Sequence, residues 1–242
     1  MYIIRKMKIA IIGYGKMGHM IEDVARSRGH EIVARIDVGD AFDLKDADVA
    51  IEFTTPATAK DNILRAWAQG VPVVCGSTGW KPEELKGEGF ELKEVDSKKL
   101  IVESKTGKVM LVWSSNYSVG VNIFFELNKC LAEQMTDQAQ YTPSIKEIHH
   151  IHKLDKPSGT AKTLAEQIRE TDLSRYRNIE DIEIESVREG EVPGTHEVTW
   201  DSEEDTIVIT HIAKGRRGFA LGAVLAAEKL ALSPDDVILT TH

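Results

Sequence analysis

The stretch Lys8-Ile-Ala-Ile-Ile-Gly-Tyr-Gly-Lys-Met-Gly18 predicts a buried strand, a glycine turn and the start of a helix, in that order. In such a turn the first glycine permits the tight bend, the second lets a pyrophosphate approach the backbone, and the third lets helix pack on strand. A second strand, Glu31–Ile36, leads into Asp37, whose carboxylate suits ribose hydroxyls. The alternative is a glycine turn without a ligand. We predict a dinucleotide site that includes Gly13, Tyr14, Gly15, Lys16, Met17, Gly18 and Asp37.

Short apolar strands alternate with helical segments as far as residue 113. Strands are predicted over 49–53, 71–75 and 109–113, with a helix over 57–69, while the charged segment 81–108 is interpreted as an irregular surface insertion with a possible hairpin around 96–98. The alternation is typical of an α/β fold with a doubly wound, Rossmann-like parallel sheet, which binds ligands at the carboxyl ends of its strands. The turns Thr54-Thr55 and Gly76-Ser77-Thr78 are therefore expected to line the cofactor.

Composition excludes several classes of protein. With 242 residues and 42% hydrophobic content, the chain can bury a core and fits one large or two modest domains. The formal net charge of −9 argues against nucleic acid and anionic membranes as partners, and no apolar run approaches membrane-spanning length. Cys75 and Cys130 lie far apart and are expected to be reduced thiols. Because residues 1–6 are too short for a signal peptide, these features predict a cytoplasmic protein.

The second half of the chain predicts a separate α+β domain that begins near Asn116. Helical patterns over 121–135 and 159–170 accompany alternating strands over 145–152, 182–188, 195–200 and 206–213. These strands predict an open, mixed and mostly antiparallel sheet, one face of which needs a cover. A second copy of the chain is a natural cover, so we expect a homo-oligomer. A helix over 219–230 and a strand over 237–240 close the chain.

The segment Glu147-Ile-His-His-Ile-His-Lys-Leu-Asp-Lys-Pro-Ser-Gly-Thr160 is where we place the chemistry. If the strand continued through it, His149 and Lys153 would share one face, with His150 on the other. Imidazoles beside a fixed cation suit proton transfer to an anionic substrate. The helix start at Ser158, Gly159 and Thr160 predicts a cradle for a carboxylate or phosphate.

Two other interpretations of this segment stay open. A metal site formed by His149, His150 and His152 is disfavoured by their alternating directions and by the adjacent Lys153. The histidines could instead form a half-buried strand face, with Ser158 as an ordinary helix cap. Further along the chain, the basic segment 214–217 is either a solvated charge run or a clamp in which Arg216 binds a carboxylate.

In order along the chain, the motifs resemble those of the 4-hydroxy-tetrahydrodipicolinate reductase family. They are Gly13-Tyr-Gly-Lys-Met-Gly18, Glu52-Phe-Thr54, Gly76-Ser-Thr-Gly79, Asn116-Tyr-Ser-Val-Gly120, His149-His150-x-x-Lys153-x-x-x-Pro157-Ser-Gly-Thr160 and Arg216-x-x-Phe219-Ala-x-Gly222-Ala223. The resemblance spans nearly the whole chain, and its most specific element is the pair of histidines followed by the lysine and Pro-Ser-Gly-Thr. Departures are Gly-Ser-Thr-Gly for the usual Gly-Thr-Thr-Gly, Asn-Tyr-Ser for Asn-Phe-Ser, and a longer 81–108 segment.

The resemblance implies reduction of a cyclic dicarboxylate by NADH or NADPH in the diaminopimelate route to lysine. It makes His149 and Lys153 the proton-handling pair and His150, Ser158, Gly159, Thr160 and Arg216 substrate contacts. It extends the cofactor site to Phe53, Ser114, Ser115, Asn116 and Tyr117. It also returns residues 217–242 to the dinucleotide-binding domain formed by 1–116, leaves 117–216 for substrate binding and assembly, and implies a homotetramer.

Two expectations can be tested directly. Because His149 and His150 both contact substrate in that family, the strand should end or bulge at this point. Asp37, with no arginine at the next two positions, favours NADH over NADPH, a bias that Lys16 or Arg35 could soften. Other readings are a different nicotinamide-dependent oxidoreductase of amino or imino acids, or a nucleotide sensor without catalysis.

Overall fold

The computed structural model describes residues 5–85, 90–96, 99–104 and 107–232, and side chains within 5–85 and 110–230. The chain divides into two compact units, Met1–Ser118 with Phe219–His242, and Val119–Gly218. The predicted strand over 237–240 and most of the amino-terminal extension lie outside the described residues. No helix in the described ranges is long and apolar enough to cross a membrane.

The first unit is built on a seven-stranded sheet with the order β2-β1-β3-β4-β7-β6-β5. The first five strands in this order, β2, β1, β3, β4 and β7, are parallel to one another, which confirms the predicted Rossmann-like sheet. The strands are β1 (Lys8–Ile12), β2 (Glu31–Ile36), β3 (Val49–Glu52), β4 (Val73–Cys75), β5 (Phe90–Asp96), β6 (Lys99–Ser104) and β7 (Gly107–Trp113). The helices of this unit are α1 (Lys16–Ser27), α2 (Pro56–Ala68) and α5 (Arg217–Leu232).

The segment 81–108 corrects one prediction, because it is not an irregular insertion. After a short 3₁₀ helix, Pro82–Leu85, it forms β5 and β6, which pair antiparallel with each other, and β6 pairs antiparallel with β7. The hairpin predicted around 96–98 is therefore confirmed, with its turn outside the described residues. The segment was misinterpreted because its frequent Lys and Glu are typical of a loop. Charged residues are equally expected on an exposed sheet edge.

Helix α5 packs into the core of the first unit, as the family resemblance implies. Its apolar residues join the cluster formed by β1, β3 and α1, and these α5 residues are Ala220, Ala223, Val224, Ala227 and Leu230. Gly222 permits this approach, because a Cβ there would collide with the backbone carbonyl of Tyr117. The last described helix thus completes the first unit.

A partly buried, hydrogen-bonded cluster also holds α5 in place. Glu228, on α5, accepts hydrogen bonds from Nε and Nη2 of Arg28 at 2.6 and 2.8 Å and lies 2.8 Å from Nε2 of His30. We expect Glu228→Ala to lower the free energy of unfolding by about 2 kcal/mol, because it leaves the buried imidazole of His30 and the half-buried guanidinium of Arg28 without their acceptor. Urea denaturation measures this. Glu166→Ala, which removes a partly exposed ion pair with Arg169 within one helix, is the control and should change less; equal effects would refute the stabilising role.

The second unit is a four-stranded sheet with the order β11-β10-β8-β9. Strands β8 and β9 are parallel and the other pairs antiparallel, which confirms the open mixed sheet. Its elements are α3 (Val119–Met135), β8 (Thr142–His149), α4 (Gly159–Thr171), a 3₁₀ turn (Ile179–Asp181), β9 (Glu183–Arg188), β10 (Thr195–Asp201) and β11 (Thr206–Ile212). Apolar side chains of α3 and α4 cover one face of this sheet, where Ile145, Val198 and Trp200 are buried.

Candidate active site

The predicted cofactor residues follow the carboxyl ends of the five parallel strands. The glycine turn follows β1, Asp37 follows β2, Phe53-Thr54 follows β3, Gly76-Ser77-Thr78 follows β4, and Ser114-Ser115-Asn116-Tyr117 follows β7. Direct contacts connect some of these loops: the amide of Thr54 donates to Oγ of Ser77 at 2.8 Å, and the amide of Ser114 donates to the Cys75 carbonyl at 3.3 Å. One edge of the sheet therefore gathers the predicted residues.

The glycine turn has the geometry that a pyrophosphate requires. Gly13 has a φ of 90°, and a Cβ there would collide with the carbonyl of Phe53, so only glycine fits. Gly18 lies directly against the Gly13 carbonyl, which is the helix-on-strand contact predicted for the third glycine. Gly15 is the N-cap of α1 and faces open space, and no side chain caps the start of this helix. These features fit a phosphate group bound by backbone amides.

A buried carboxylate supports the neighbouring loops. Glu52 is fully buried at the end of β3, where its Oε1 accepts from the hydroxyl and amide of Thr54 and its Oε2 lies 2.9 Å from Sγ of Cys75. Burial, followed by the charge of Glu52, raises the pKa of Cys75 far above its ordinary value. Cys75 is therefore a protonated, structural thiol, and Glu52 sets the shape of the Thr54 loop.

The side chains of Tyr117 and Tyr14 make hydrogen bonds within the protein. The Tyr117 side chain is buried, and its hydroxyl donates to the carbonyls of Cys75 and Val112 at 2.9 and 2.8 Å. The Tyr14 hydroxyl donates to Glu22, which also binds Arg35. The Tyr117 side chain is therefore part of the core, so the predicted contact of Tyr117 with a cofactor would involve its backbone.

The end of β2 bears on cofactor selection. Asp37 is exposed directly after this strand, and its Oδ1 accepts only the adjacent amide of Val38 among the described hydrogen bonds. Arg35, which could have attracted a 2′-phosphate, instead binds Glu22 through Nε at 2.6 Å and through Nη2. This pairing, together with the hydrogen bonds from Tyr14 and Arg26, moves the pKa of Glu22 well below its ordinary range although burial opposes the shift, so the carboxylate stays charged.

In the second unit, the helix-covered face of the sheet ends in three polar side chains. Along β8, Glu147 and His149 continue the face of Ile145, and His196 on β10 lies opposite Glu147 in the strand register. All three are buried. No role was predicted for Glu147 or His196. The signal in the sequence was a carboxylate and an imidazole at core-facing positions of two strands with alternating polarity.

Glu147 is held by three donors on one oxygen. Its Oε1 accepts from the amide of Ser158 at 3.0 Å, the hydroxyl of Ser186 at 2.7 Å and Nη2 of Arg188 at 3.1 Å. Burial alone would raise the pKa of Glu147, but these hydrogen bonds together lower it below its ordinary value. Glu147 is therefore a buried, ionised carboxylate.

The second oxygen of Glu147 faces the two imidazoles. Oε2 lies 3.4 Å from Nδ1 of His149 and 3.8 Å from Nε2 of His196. Burial lowers the pKa of His149, Glu147 opposes that shift, and Lys153 and Arg188 add to it. Burial, and then the charge of His149, lowers the pKa of His196 to about 4, so His196 is neutral at physiological pH.

Strand β8 ends at His149, which confirms the expected break. Residues 151–152 form a turn, in which the amide of Lys153 donates to the His150 carbonyl at 3.1 Å. Simple alternation along a continuous strand would have placed His149 and Lys153 on one face. Because the strand ends at His149, the two residues do not share such a face. The metal trio of His149, His150 and His152 is also not assembled: His150 is half-buried, and His152 is exposed beside Glu191.

Lys153 and the turn around it are fixed by two neighbours. Nζ of Lys153 lies 2.9 Å from Oδ1 of Asp155. Arg188 donates from Nε to the Lys153 carbonyl at 3.2 Å and from Nη2 to the Asp155 carbonyl. Because Arg188 also binds Glu147, it connects the turn that carries Lys153 to the buried carboxylate beside His149.

The start of α4 corrects the role of one predicted residue. Ser158 is the N-cap, as predicted, since its Oγ accepts from the amide of Ala161 at 3.2 Å. Its amide is bound by Glu147 and its Oγ lies 3.3 Å from Nε2 of His196, so Ser158 is a buried supporting residue. The predicted cradle then depends on Gly159 and Thr160, and a Cβ on Gly159 would meet open space. Arg216 is exposed.

The chain matches known proteins along its length. Residues 7–117 match the family described as "Dihydrodipicolinate reductase, N-terminus", and residues 120–241 match "Dihydrodipicolinate reductase, C-terminus". The 4-hydroxy-tetrahydrodipicolinate reductase of Christiangramia forsetii is 45% identical over 233 residues, which cover 93% of this chain and 92% of that one. The protein of the same name from Archaeoglobus fulgidus is 34% identical over 259 residues, covering 93% and 94%.

A solved structure supports the fold. The dipicolinate-bound dihydrodipicolinate reductase from Paenisporosarcina sp. TG-14 superposes with a TM-score of 0.69 at 21% identity, over 93% of this chain and 94% of that one. At this level of identity the likeness concerns the arrangement of strands and helices.

Proposed function

The chain belongs to the dihydrodipicolinate reductase family, and we propose from this premise how its residues carry out the reaction. The protein is a nicotinamide-dependent 4-hydroxy-tetrahydrodipicolinate reductase, which forms tetrahydrodipicolinate in the diaminopimelate route to lysine. The observation that carries this conclusion is the match of both units to the family, with a curated relative at 45% identity over 93% of the chain. We assign 1–116 and 217–242 to the cofactor, and 117–216 to substrate and assembly.

The reaction requires a proton as well as a hydride. Substrate and product differ by one hydroxyl, which a hydrogen replaces, so one hydride and one proton enter for each water that leaves. The nicotinamide supplies the hydride. The protein must therefore supply a proton donor close to the substrate and positive charge for its two carboxylates.

The cluster at the end of β8 meets both requirements. Lys153 provides a cation that can bind a carboxylate and donate a proton, and His149 is the second member of the proton-handling pair. His150 is the adjacent substrate contact. The backbone of Gly159 and Thr160 at the start of α4 binds a carboxylate, and Arg216 contributes a second positive charge. Ser158 supports this arrangement through its cap and its bond to Glu147.

We assign NADH as the favoured cofactor. Asp37 accepts hydrogen bonds from a ribose diol and repels a 2′-phosphate, while Arg35 is already bound to Glu22. We expect Asp37→Asn to raise kcat/KM for NADPH relative to NADH by about tenfold, equivalent to about 1.4 kcal/mol. Initial rates with both cofactors measure the ratio. Asp43→Asn, an exposed carboxylate in the same loop, is the control; a wild-type preference for NADPH would contradict the assignment.

For the assembly we propose a cytoplasmic homotetramer built through the sheet of the second unit. Strand β11 is an edge strand, and three of its apolar side chains are exposed: Ile207, Val208 and Ile212. Apolar residues are also exposed along α3, namely Val119, Ile123 and Leu127. Burial against a second copy would remove such side chains from water. Sedimentation velocity tests the mass, and a monomer would refute the proposal.

The activity itself is tested by a coupled assay. Freshly generated 4-hydroxy-tetrahydrodipicolinate should oxidise NADH or NADPH in the presence of the protein, and dipicolinate, a planar dicarboxylate of similar shape, should compete with substrate. If the protein turned over a different amino or imino acid but not 4-hydroxy-tetrahydrodipicolinate, the result would favour another class of nicotinamide-dependent oxidoreductase. Cofactor binding without any turnover would favour a sensor.

A further inference from the structure

We propose that Glu147 is a positioning residue for the reductase reaction, which fixes the tautomer of His149 and stabilises its protonated form. The proposal rests on the proposed role of His149 as part of the proton-handling pair. It concerns a residue that does not touch the reacting atoms and acts through the imidazole.

The two oxygens of Glu147 are not equivalent, and this asymmetry carries the inference. Oε1 is occupied by the amide of Ser158, the hydroxyl of Ser186 and Nη2 of Arg188. Oε2 has no hydrogen-bond partner within the described part of the chain, and neither does Nδ1 of His149, although the two atoms are only 3.4 Å apart. A small rotation of either side chain would join them.

The charge on Glu147 decides which nitrogen of His149 carries the proton. An ionised carboxylate can only accept, so Oε2 favours a proton on Nδ1 and directs Nε2 away from the carboxylate. At Nε2, a Cβ on Gly194 would approach to 3.2 Å, so glycine at this position keeps that edge of the ring uncrowded. The ring of His196 packs against His149 edge-on, with centroids 4.9 Å apart. The imidazole is therefore oriented from two sides.

The electrostatic surroundings explain why this support is needed. The charged and titratable groups that act on His149 come from β8, the following turn, β9 and β10, and they are Glu147, Lys153, Asp155, Arg188 and His196. Burial, Lys153 and Arg188 all lower the pKa of His149, whereas Glu147 is the largest opposing influence. Without it, His149 would hold a proton less well beside two cations.

The same three side chains could also be considered as metal ligands. One atom each of Glu147, His149 and His196 lies within 4.8 Å of the others. Arg188 already neutralises the carboxylate, and Lys153 adds a second positive charge, so a divalent cation would be repelled. We therefore assign the cluster to proton handling.

The test is Glu147→Gln, which preserves shape and removes the charge. Because Ser158, Ser186 and Arg188 require an acceptor, the amide oxygen of the glutamine must occupy the Oε1 position, which turns its NH₂ group toward His149. That donor favours a lone pair on Nδ1 and opposes the imidazolium. Two-bond ¹H–¹⁵N correlation spectra of the full-length protein, titrated with pH, report the tautomer and pKa of His149 directly. We expect the proton to move from Nδ1 to Nε2 and the pKa of His149 to fall.

The kinetic readout is the pH profile of kcat. Loss of the carboxylate should lower kcat about a hundredfold with a smaller change in KM. The fall in kcat that occurs as the pH rises should also begin at a lower pH than in the wild type. Glu185→Gln, an exposed carboxylate on the adjacent β9 that pairs with Lys146, is the matched control and should change neither readout. Thermal denaturation verifies that both variants fold.

Each outcome has one meaning. An unchanged His149 tautomer and pKa in folded Glu147→Gln would overturn the inference, whatever the activity. Stoichiometric zinc in the purified protein would also overturn it. If the spectra change as expected but wild-type protein does not reduce 4-hydroxy-tetrahydrodipicolinate, the proposed function fails and the positioning of His149 by Glu147 stands.

Discussion

Lys153→Ala should lower turnover by about a hundred- to ten-thousandfold and also weaken substrate binding. The reason is that this side chain combines two tasks, since its ammonium group both attracts a dianionic substrate and can donate a proton. Its position is well defined by the ion pair with Asp155 at 2.9 Å and by Arg188, which binds the Lys153 carbonyl. Steady-state kinetics with varied substrate separates the change in kcat from the change in KM.

The control is Lys146→Ala, which removes a lysine from the same region of the chain. Lys146 lies on β8, pairs with Glu185 at 2.8 Å and is 44% exposed, so its loss should leave both constants near wild type. Affinity for NADH should be unchanged in both variants, because we assign the nucleotide to the first unit. If Lys153→Ala kept near-normal turnover with saturating substrate, its proposed role would be wrong.

His149→Ala is the second change from which we expect a large loss. Turnover should fall by about a hundred- to ten-thousandfold, with a smaller effect on KM than for Lys153→Ala, because a buried imidazole with a lowered pKa contributes to proton transfer more than to binding charge. Single-turnover measurements at saturating substrate would isolate the chemical step.

A neighbouring histidine offers a matched control. His152 is exposed in the turn after β8 and forms an ion pair with Glu191, so His152→Ala should retain turnover. Equal losses in both variants would show that the turn as a whole matters, and would remove the specific role of His149. A loss confined to KM would make His149 a binding residue.

Much of the fold could be predicted from local patterns. The apolar run before Gly13, the spacing of the three glycines and the alternation of strands with helices predicted the parallel sheet, and alternation in the second half predicted the mixed sheet. These features depend on residues close together in the chain, where periodicity and turn chemistry act directly. The segment 81–108 was misinterpreted because its charges are typical of both a loop and an edge strand.

The candidate site divides along the same line. The sequence by itself determined the glycine turn after β1 and the N-cap at Ser158, since each follows from neighbouring residues, whereas the end of the strand at His149 was expected only from the family resemblance. Only the tertiary structure decided that Glu147 and His196 join His149, that Ser158 faces inward, and that Arg35 is bound by Glu22. The physical reason is that strand register and burial bring together residues far apart in the chain, and burial determines which charges are retained and which imidazoles stay neutral.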